Sequence, residues 1–409
     1  MKGGDNIKVL RTEQQQICKG HPMYNVVTDF CIRSKNFYNY ALYVTRQEFI
    51  FNNKWIRYQD LQKTLKDTEP YKQLMSQSSQ CVLQVLERNW KSYFNGIKEW
   101  KRSPQKFLRM PRLPNYKKKN GKFVWLLKNN QSYIKDGRLY FRLKVFNGYS
   151  FKTNVKDRLY AIRFVPQNDY YTLEIIYEKE IKNKETYNTN CVSIDLGVNN
   201  FVTMTNNVGL QPIVINGKGI KSINQYYNKQ RAKLMKDLIH RNGQHWSHEL
   251  DTLNRKRYNR IKNFMHHTSK YIAKYCIDNN IDNLVVGLNK TWKQDCKLGD
   301  KVTQTFTFIP YDLLIRQLKY KCEEYGIQCI ETEESYTSGT SFLDDEKPIK
   351  ENYNKKRRVN RGLFKSNNGI LINSDVNGSL QIMKKVFPKA LSDGIVGNLT
   401  PVVINVCKM

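Results

Sequence analysis

The chain changes its hydrophobic rhythm several times, and each change marks an element. The opening NIKVLRTEQQQICKG alternates apolar and polar residues, as a strand does. The spacing then becomes three and four. Val27, Phe30, Cys31, Phe37, Tyr38, Ala41 and Leu42 form one helical stripe, and Val82, Val85, Leu86, Trp90, Tyr93, Phe94 and Ile97 form a second. KDTEPYKQL between them reads as a loop with a helix start behind it. The aromatic residues of both stripes are core. Arg88, Lys91, Lys98, Lys101 and Arg102 sit on the other faces, where phosphates can reach them. Residues 103–120, SPQKFLRMPRLPNYKKKN, carry three prolines among basic residues, which marks a linker against a polyanion or an exposed loop. Over residues 122–180 the period falls to two, with turns at KDG and PQND, as in a small antiparallel barrel or sheet.

After the polar KNKETYNTN the pattern becomes that of an α/β domain. VSIDLGVNNFVTMTNN, from Val192, reads as an apolar opening strand, and LQPIVINGK as a second. A charged helical region follows over about 222–280, turning at HRNGQHWSHEL. Then come a buried strand in IDNLVVGLNK, an amphipathic helix in IPYDLLIRQLKYKCEEYG ending at Gly326, a strand in IQCIETEESYTS and a last helix in NSDVNGSLQIMKKVF. Strand, strand, helices, strand, helix, strand, helix describes a mixed α/β sheet.

Charge narrows the function. The 409 residues carry 69 Lys and Arg against 36 Asp and Glu, a formal net charge of +33. A balance so basic calls for a polyanionic partner, and nucleic acid is the one expected. An apolar fraction of 40% fits a folded chain. No apolar run approaches the roughly 20 residues of a membrane span, and the start has no apolar signal region. No membrane partner is therefore expected, and the expected location is the cytoplasm, prokaryotic cytosol or nucleoid. The nine cysteines form no C-x-x-C pair. They read as reduced thiols rather than a disulfide framework or a zinc site.

Asp195 interrupts the opening strand. A carboxylate there needs either a cationic side chain or a metal. Further acids stand at ETEE, residues 331–334, and at Asp375 by the last helix. Carboxylates converging from separate elements suit two magnesium ions in phosphodiester hydrolysis, because magnesium prefers oxygen ligands.

These segments resemble a known family. SIDLGVNNFVTM is similar to the first RuvC motif of TnpB, a transposon-encoded RNA-guided nuclease, and of the compact type V CRISPR effectors. INGKGIKSINQYYNKQRAKL, MHHTSKYIAKYC, VVGLNKTWKQD, EESYTSGTSFLDDEKP, NRGLF and INSDVNGSLQIMKK follow in the order of one TnpB branch. Before residue 190 the likeness rests on order and composition. The resemblance implies a ribonuclease H-like (RuvC) α/β nuclease domain, preceded by a β-barrel wedge domain with an inserted helical recognition bundle. The implied boundaries are 1–20 and 121–186 for the wedge, 21–120 for the recognition helices and 187–409 for the nuclease domain, with a basic insert over about 339–372.

Two departures stand out. The second RuvC motif usually carries a glutamate ligand where this chain has Gly287. Some relatives place it on the next strand in an E-x-x-T-S context, matched here by Glu334, Thr337 and Ser338. The implied catalytic and metal-binding set is therefore Asp195, Glu334 and Asp375, with two Mg2+ ions; Glu333 is the alternative, since strand register decides which side chain points inward. Relatives also carry a zinc ribbon. The matching places here are Ser341, Asp344, Lys365 and Asn368, so no structural zinc is expected. Arg357, Arg358 and Arg361 of the insert either contact a substrate strand or stay solvated. Asn377 either orients a metal-bound water or serves the helix N-terminus, and Trp292 and Lys293 either stack on a base or pack their loop.

The implied function is an RNA-guided DNA endonuclease acting with a guide RNA on double-stranded target DNA, one monomer per guide. The alternatives are a nuclease-inactive guided DNA-binding protein and a guide-independent nuclease or transposase.

Overall fold

In the computed structural model, strand β1 (Asn6–Cys18) leads into helix α1 (Tyr24–Asn52). Helices α2 (Tyr58–Leu65), α3 (Glu69–Gln73) and α4 (Ser76–Arg102) follow. The structure describes residues 6–182, 184, 187–289, 309–360, 362–389 and 398–407. Trp292, Lys293 and Arg361 lie outside them. The two helical stripes became α1 and α4. The segment read as a loop between them holds α3, because Tyr71 and Leu74 bury themselves against the neighbouring helices.

Six strands complete this part: β2 (Trp125–Lys128), β3 (Ser132–Lys135), β4 (Arg138–Phe141), β5 (Phe151–Lys152), β6 (Arg158–Pro166) and β7 (Tyr170–Lys182). They pair with β1 as a four-stranded sheet, β1-β7-β6-β2, and a three-stranded sheet, β3-β4-β5. Trp125 anchors the helices to the sheet. It is fully buried, with its ring stacked on Phe30 at 4.3 Å, Phe164 at 5.0 Å and Phe146 at 5.6 Å. Its Nε1 donates to Ser78 Oγ, so the one polar atom of the indole is satisfied inside the core. The basic stretch after the prolines is pegged to α1. Lys35 donates to the Lys119 carbonyl, and Asn39 bonds both the N–H and the carbonyl of Lys117.

The chain divides into two compact units, Lys8–Glu180 and Ile181–Met409 with Met1–Ile7. The second is built on one six-stranded sheet in the order β12-β11-β8-β9-β10-β16. Its strands are β8 (Cys191–Leu196), β9 (Asn200–Asn206), β10 (Ile213–Asn216), β11 (Asn283–Leu288), β12 (Gln328–Glu333) and the last, β16 (Val402–Ile404). Strand β9 runs antiparallel to β8, whereas β11 and β12 run parallel beside it. This is the ribonuclease H-like arrangement expected from the sequence. One detail differs: the run from Val192 to Asn207 is a hairpin, not a single strand. Gly197 makes the turn, and an added Cβ there would stand 2.5 Å from the Asn200 carbonyl oxygen.

Helices α5 (Lys218–Asn242), α6 (His248–Asp278) and α7 (Tyr311–Glu324) accompany the sheet, with α6 packed on both others. The last helix, α8 (Ser374–Val386), packs on β8, β9 and β11. Before it the insert forms a small antiparallel sheet of β13 (Arg358–Asn360), β14 (Leu363–Lys365) and β15 (Leu371–Asn373). Among the described residues no helix is long and apolar enough to cross a membrane.

Replacing Trp125 by alanine empties the anchor of the Lys8–Glu180 unit and is expected to cost about 3–5 kcal/mol. Chemical denaturation followed by tyrosine and tryptophan fluorescence measures the loss.

Candidate active site

Strand β8 sorts its side chains by alternation. Val192, Ile194 and Leu196 join the apolar core with Phe264, Met265 and Ile272 of α6 and Leu314 and Leu318 of α7. Ser193 and Asp195 face the other way, toward α8. Their antiparallel partners on β9, Thr205 and Thr203, share that face. The result is a polar seam under a helix. Ser193 Oγ donates to the Ser379 carbonyl at 2.6 Å, Ser379 Oγ donates to the Ser193 carbonyl at 3.0 Å, and the Thr205 and Ser379 hydroxyls are 2.9 Å apart.

Helix α8 comes this close because of its small residues. A Cβ at Gly378 would stand 3.0 Å from Asp195 Oδ2. Glycine therefore leaves a cradle for the carboxylate directly beneath the helix.

The parallel register carries the same face across the sheet. Val285 of β11 lies beside Ser193, and Gly287 pairs with Thr332 of β12. Two residues beyond Thr332, alternation returns the side chain of Glu334 to this face. The Glu334 N–H bonds the Leu288 carbonyl at 3.2 Å and extends the ladder. A Cβ at Gly287 would lie 3.5 Å from Glu334 Oε2 and would overlap Ile382 Cδ1 of α8. The space above Gly287 is thus shared by Ile382 and the carboxylate of Glu334. Glu333 is exposed and pairs with Lys385 at 3.7 Å, while Glu331 pairs with Lys319 of α7 at 2.6 Å.

Asp375 sits in the first turn of α8, where the helix dipole favours an anion. Asn373 caps the helix, its side-chain oxygen accepting from the N–H groups of Asp375 and Val376. Asn200 Nδ2 donates to Asp375 Oδ2 at 2.6 Å, and Arg358 of β13 approaches Oδ1 at 3.9 Å. Asn199, Asn200, Arg358, Asn360, Ser374 and Asp375 line a cleft of about 680 Å³.

Electrostatics tie the three acids together. Burial first, then the charges of Glu334 and Asp375, push the Asp195 carboxyl well above the ordinary range; Arg358 and the Leu196 N–H oppose the shift. Oxygen donors in such mutual repulsion fit a hard divalent cation by chemistry. They do not yet converge on a point: among the described residues, no three His, Cys, Asp or Glu side chains stand close enough to hold one ion.

Other expectations change. Asn377 is fully buried and bonds the Phe342 N–H and the Thr340 carbonyl, so it ties a loop to α8 rather than addressing the cleft. Arg357 turns inward to Glu346. Sequence reasoning missed Asn200, Gly378 and Thr203. The buried hydroxyl of Thr203 has no hydrogen-bond partner among the described residues. The signal for Asn200 was the VNNF run, and for Gly378 the small residues of VNGS.

Comparisons with known proteins bear on the family and the fold. Residues 174–293 match the family model "OrfB_IS605: Probable transposase", and residues 311–382 match "Cas12f1-like, TNB domain". A TnpB-like protein, ORF457 of Acidianus two-tailed virus, is 24% identical over 394 residues, covering 86% of this chain and 81% of its own. The resemblance is to the TnpB family. A Cas12f1 solved by cryo-EM with sgRNA and target DNA shares the fold at a TM-score of 0.54, with 14% identity over 88% of this chain and 82% of that one. Against the usual TnpB pattern, position 287 is where packing leaves no room for the glutamate.

Two outcomes follow. Because its pKa is raised in the folded state, Asp195 adds stability below its unfolded-state pKa, and this is lost as pH climbs through the raised value. Asp195→Asn should therefore stabilise the metal-free protein near neutral pH, and should diminish the rise in Tm on adding magnesium. Gly287→Ala should cost about 1–3 kcal/mol by overpacking against Ile382. Thermal melts in EDTA and in magnesium check both.

Proposed function

We propose that the chain is an RNA-guided DNA endonuclease whose RuvC-type site consists of Asp195, Glu334 and Asp375. The observation that carries this reading is geometric: Asp195 lies directly beneath Gly378 of α8, Glu334 reaches over Gly287 on the same side of the sheet, and Asp375 stands in the first turn of α8, so three separate elements bring their carboxylates to one face. The likeness to TnpB and to a Cas12f1 bound to guide RNA and target DNA supports it.

In this reading the guide RNA pairs with the target strand, and the protein grips the heteroduplex through its backbone and reads a short flanking motif. Residues 1–20 and 121–186 act as the wedge, residues 21–120 as the recognition helices and residues 187–409 as the nuclease domain. The net charge of +33 serves to neutralise phosphates, so binding should weaken steeply with salt.

Two bound magnesium ions would supply activation of the attacking water and stabilisation of the leaving oxygen. The chain supplies the framework. The β8–β9 pairing and Gly378 set the depth of Asp195, and Asn200 fixes the rotamer of Asp375. Strand β12 delivers Glu334 over Gly287, and Arg358 presents a cation at the mouth of the cleft. Such preorganisation lowers the barrier because little must move when charge develops on the phosphate.

The test is to purify the protein with its RNA, sequence that RNA, and incubate the complex with matching double-stranded DNA and magnesium. Guide-directed cleavage is expected. Asp195→Ala, Asp375→Ala and Glu334→Gln should each slow it about 1000-fold or more, roughly 4 kcal/mol of barrier, with target binding retained. Glu333→Gln should cut at the parental rate. Tight binding without cleavage by the parent would instead identify a nuclease-inactive guided binder. Activity without RNA would identify a guide-independent nuclease.

A further inference from the structure

The insert before α8 lacks the thiolates of a zinc ribbon, yet it is folded. Ser341, Asp344, Lys365 and Asn368 stand where relatives place cysteines, and a zinc ion does not fit such a set. Phe364, Ile372, Val376 and Leu380 nonetheless form a small core joining β14 and β15 to α8. The two loops that a ribbon would staple still meet. The Asn367 N–H donates to Asp344 Oδ2 at 2.7 Å, and the Asp344 N–H donates to Ser341 Oγ at 3.3 Å.

An ion pair spans the gap. Both terminal nitrogens of Arg357 donate to the two carboxylate oxygens of Glu346, NH2 to Oε1 at 2.6 Å. The same NH2 reaches Asn367 Oδ1 at 2.6 Å, and Glu346 Oε2 accepts the Ser341 N–H at 2.8 Å. The Glu346 carbonyl takes Gln381 Nε2 of α8 at 3.2 Å. The two charged side chains are only 15% and 17% exposed, so this is no solvated surface pair. Arg357 immediately precedes Arg358, the residue 3.9 Å from Asp375.

We infer that the Arg357–Glu346 pair is a metal-free clasp in place of the zinc knuckle. Arg357 and Glu346 are positioning residues, holding β13, and with it Arg358, against Asp375. The consequence for cleavage rests on the nuclease reading above; the clasp itself does not.

Two readouts separate these. Amide hydrogen exchange over residues 356–373 is measured on the full chain without nucleic acid, for the parent, Arg357→Gln, Glu346→Gln and the double variant. Each single change should speed exchange about tenfold, and the double should add little, as a shared interaction requires. Single-turnover cleavage by the guide-loaded complex should fall about tenfold or more in each single variant, with target binding within about threefold. Arg357→Lys, which keeps the charge without the fork, should recover part of the rate. Zinc chelation should leave the parent unchanged. Unchanged exchange in the single variants, losses in the double that multiply, or a parent slowed by chelation would overturn the clasp. If the glutamine variants do not fold, Arg357→Lys and Glu346→Asp are read the same way. A parent that never cuts refutes the nuclease reading, while exchange still decides the clasp.

Discussion

A carboxylate placed inside a closely packed sheet-and-helix contact constrains most of the second unit. Asp195 is half-buried, yet it cannot swing clear of α8 without moving β8, the strand that pairs with both β9 and β11. It cannot keep its charge easily while Glu334 and Asp375 share the same field. The surroundings answer with small residues where α8 must come near, hydroxyls beside the acid, and one arginine at the rim. Each arrangement is costly for folding alone. In the reading proposed above, together they make room for a cation and a phosphate at the expense of stability.

The two faces of β8 show how one strand serves both ends. Its even positions bury valine, isoleucine and leucine against α6 and α7, the source of the cohesion that holds the sheet flat against its helices. Its odd positions carry serine and aspartate into a hydrogen-bonded seam with Ser379 and Thr205.

Much of this was legible in the sequence. Period-three and period-two spacing marked α1, α4 and the later strands, and the order of strands and helices pointed to a mixed sheet. The β8–β9 hairpin was not legible, because its turn lies inside a run that stays apolar on both sides of Gly197. Helix α3 was hidden by its proline and charges; it exists because Tyr71 and Leu74 find a packed surface. At the site, Asp195 and Asp375 were visible as acids at element ends. Which of Glu333 and Glu334 faces the side of Asp195 depends on the β11–β12 register, a long-range fact that no local pattern contains. For Asn200 the VNNF run was the only signal, and its bond to Asp375 was out of reach, since that partner is 175 positions away.

The contact between Gly287 and Ile382 limits what position 287 can hold. The volume above position 287 is filled by a branched side chain of the last helix, and in the proposed reading the acid comes from the end of the neighbouring strand instead. A glutamate at this position would require that isoleucine to shrink first. An acid at 287 is thus at least two coordinated substitutions away, because the packing of α8 on β11 must change with it.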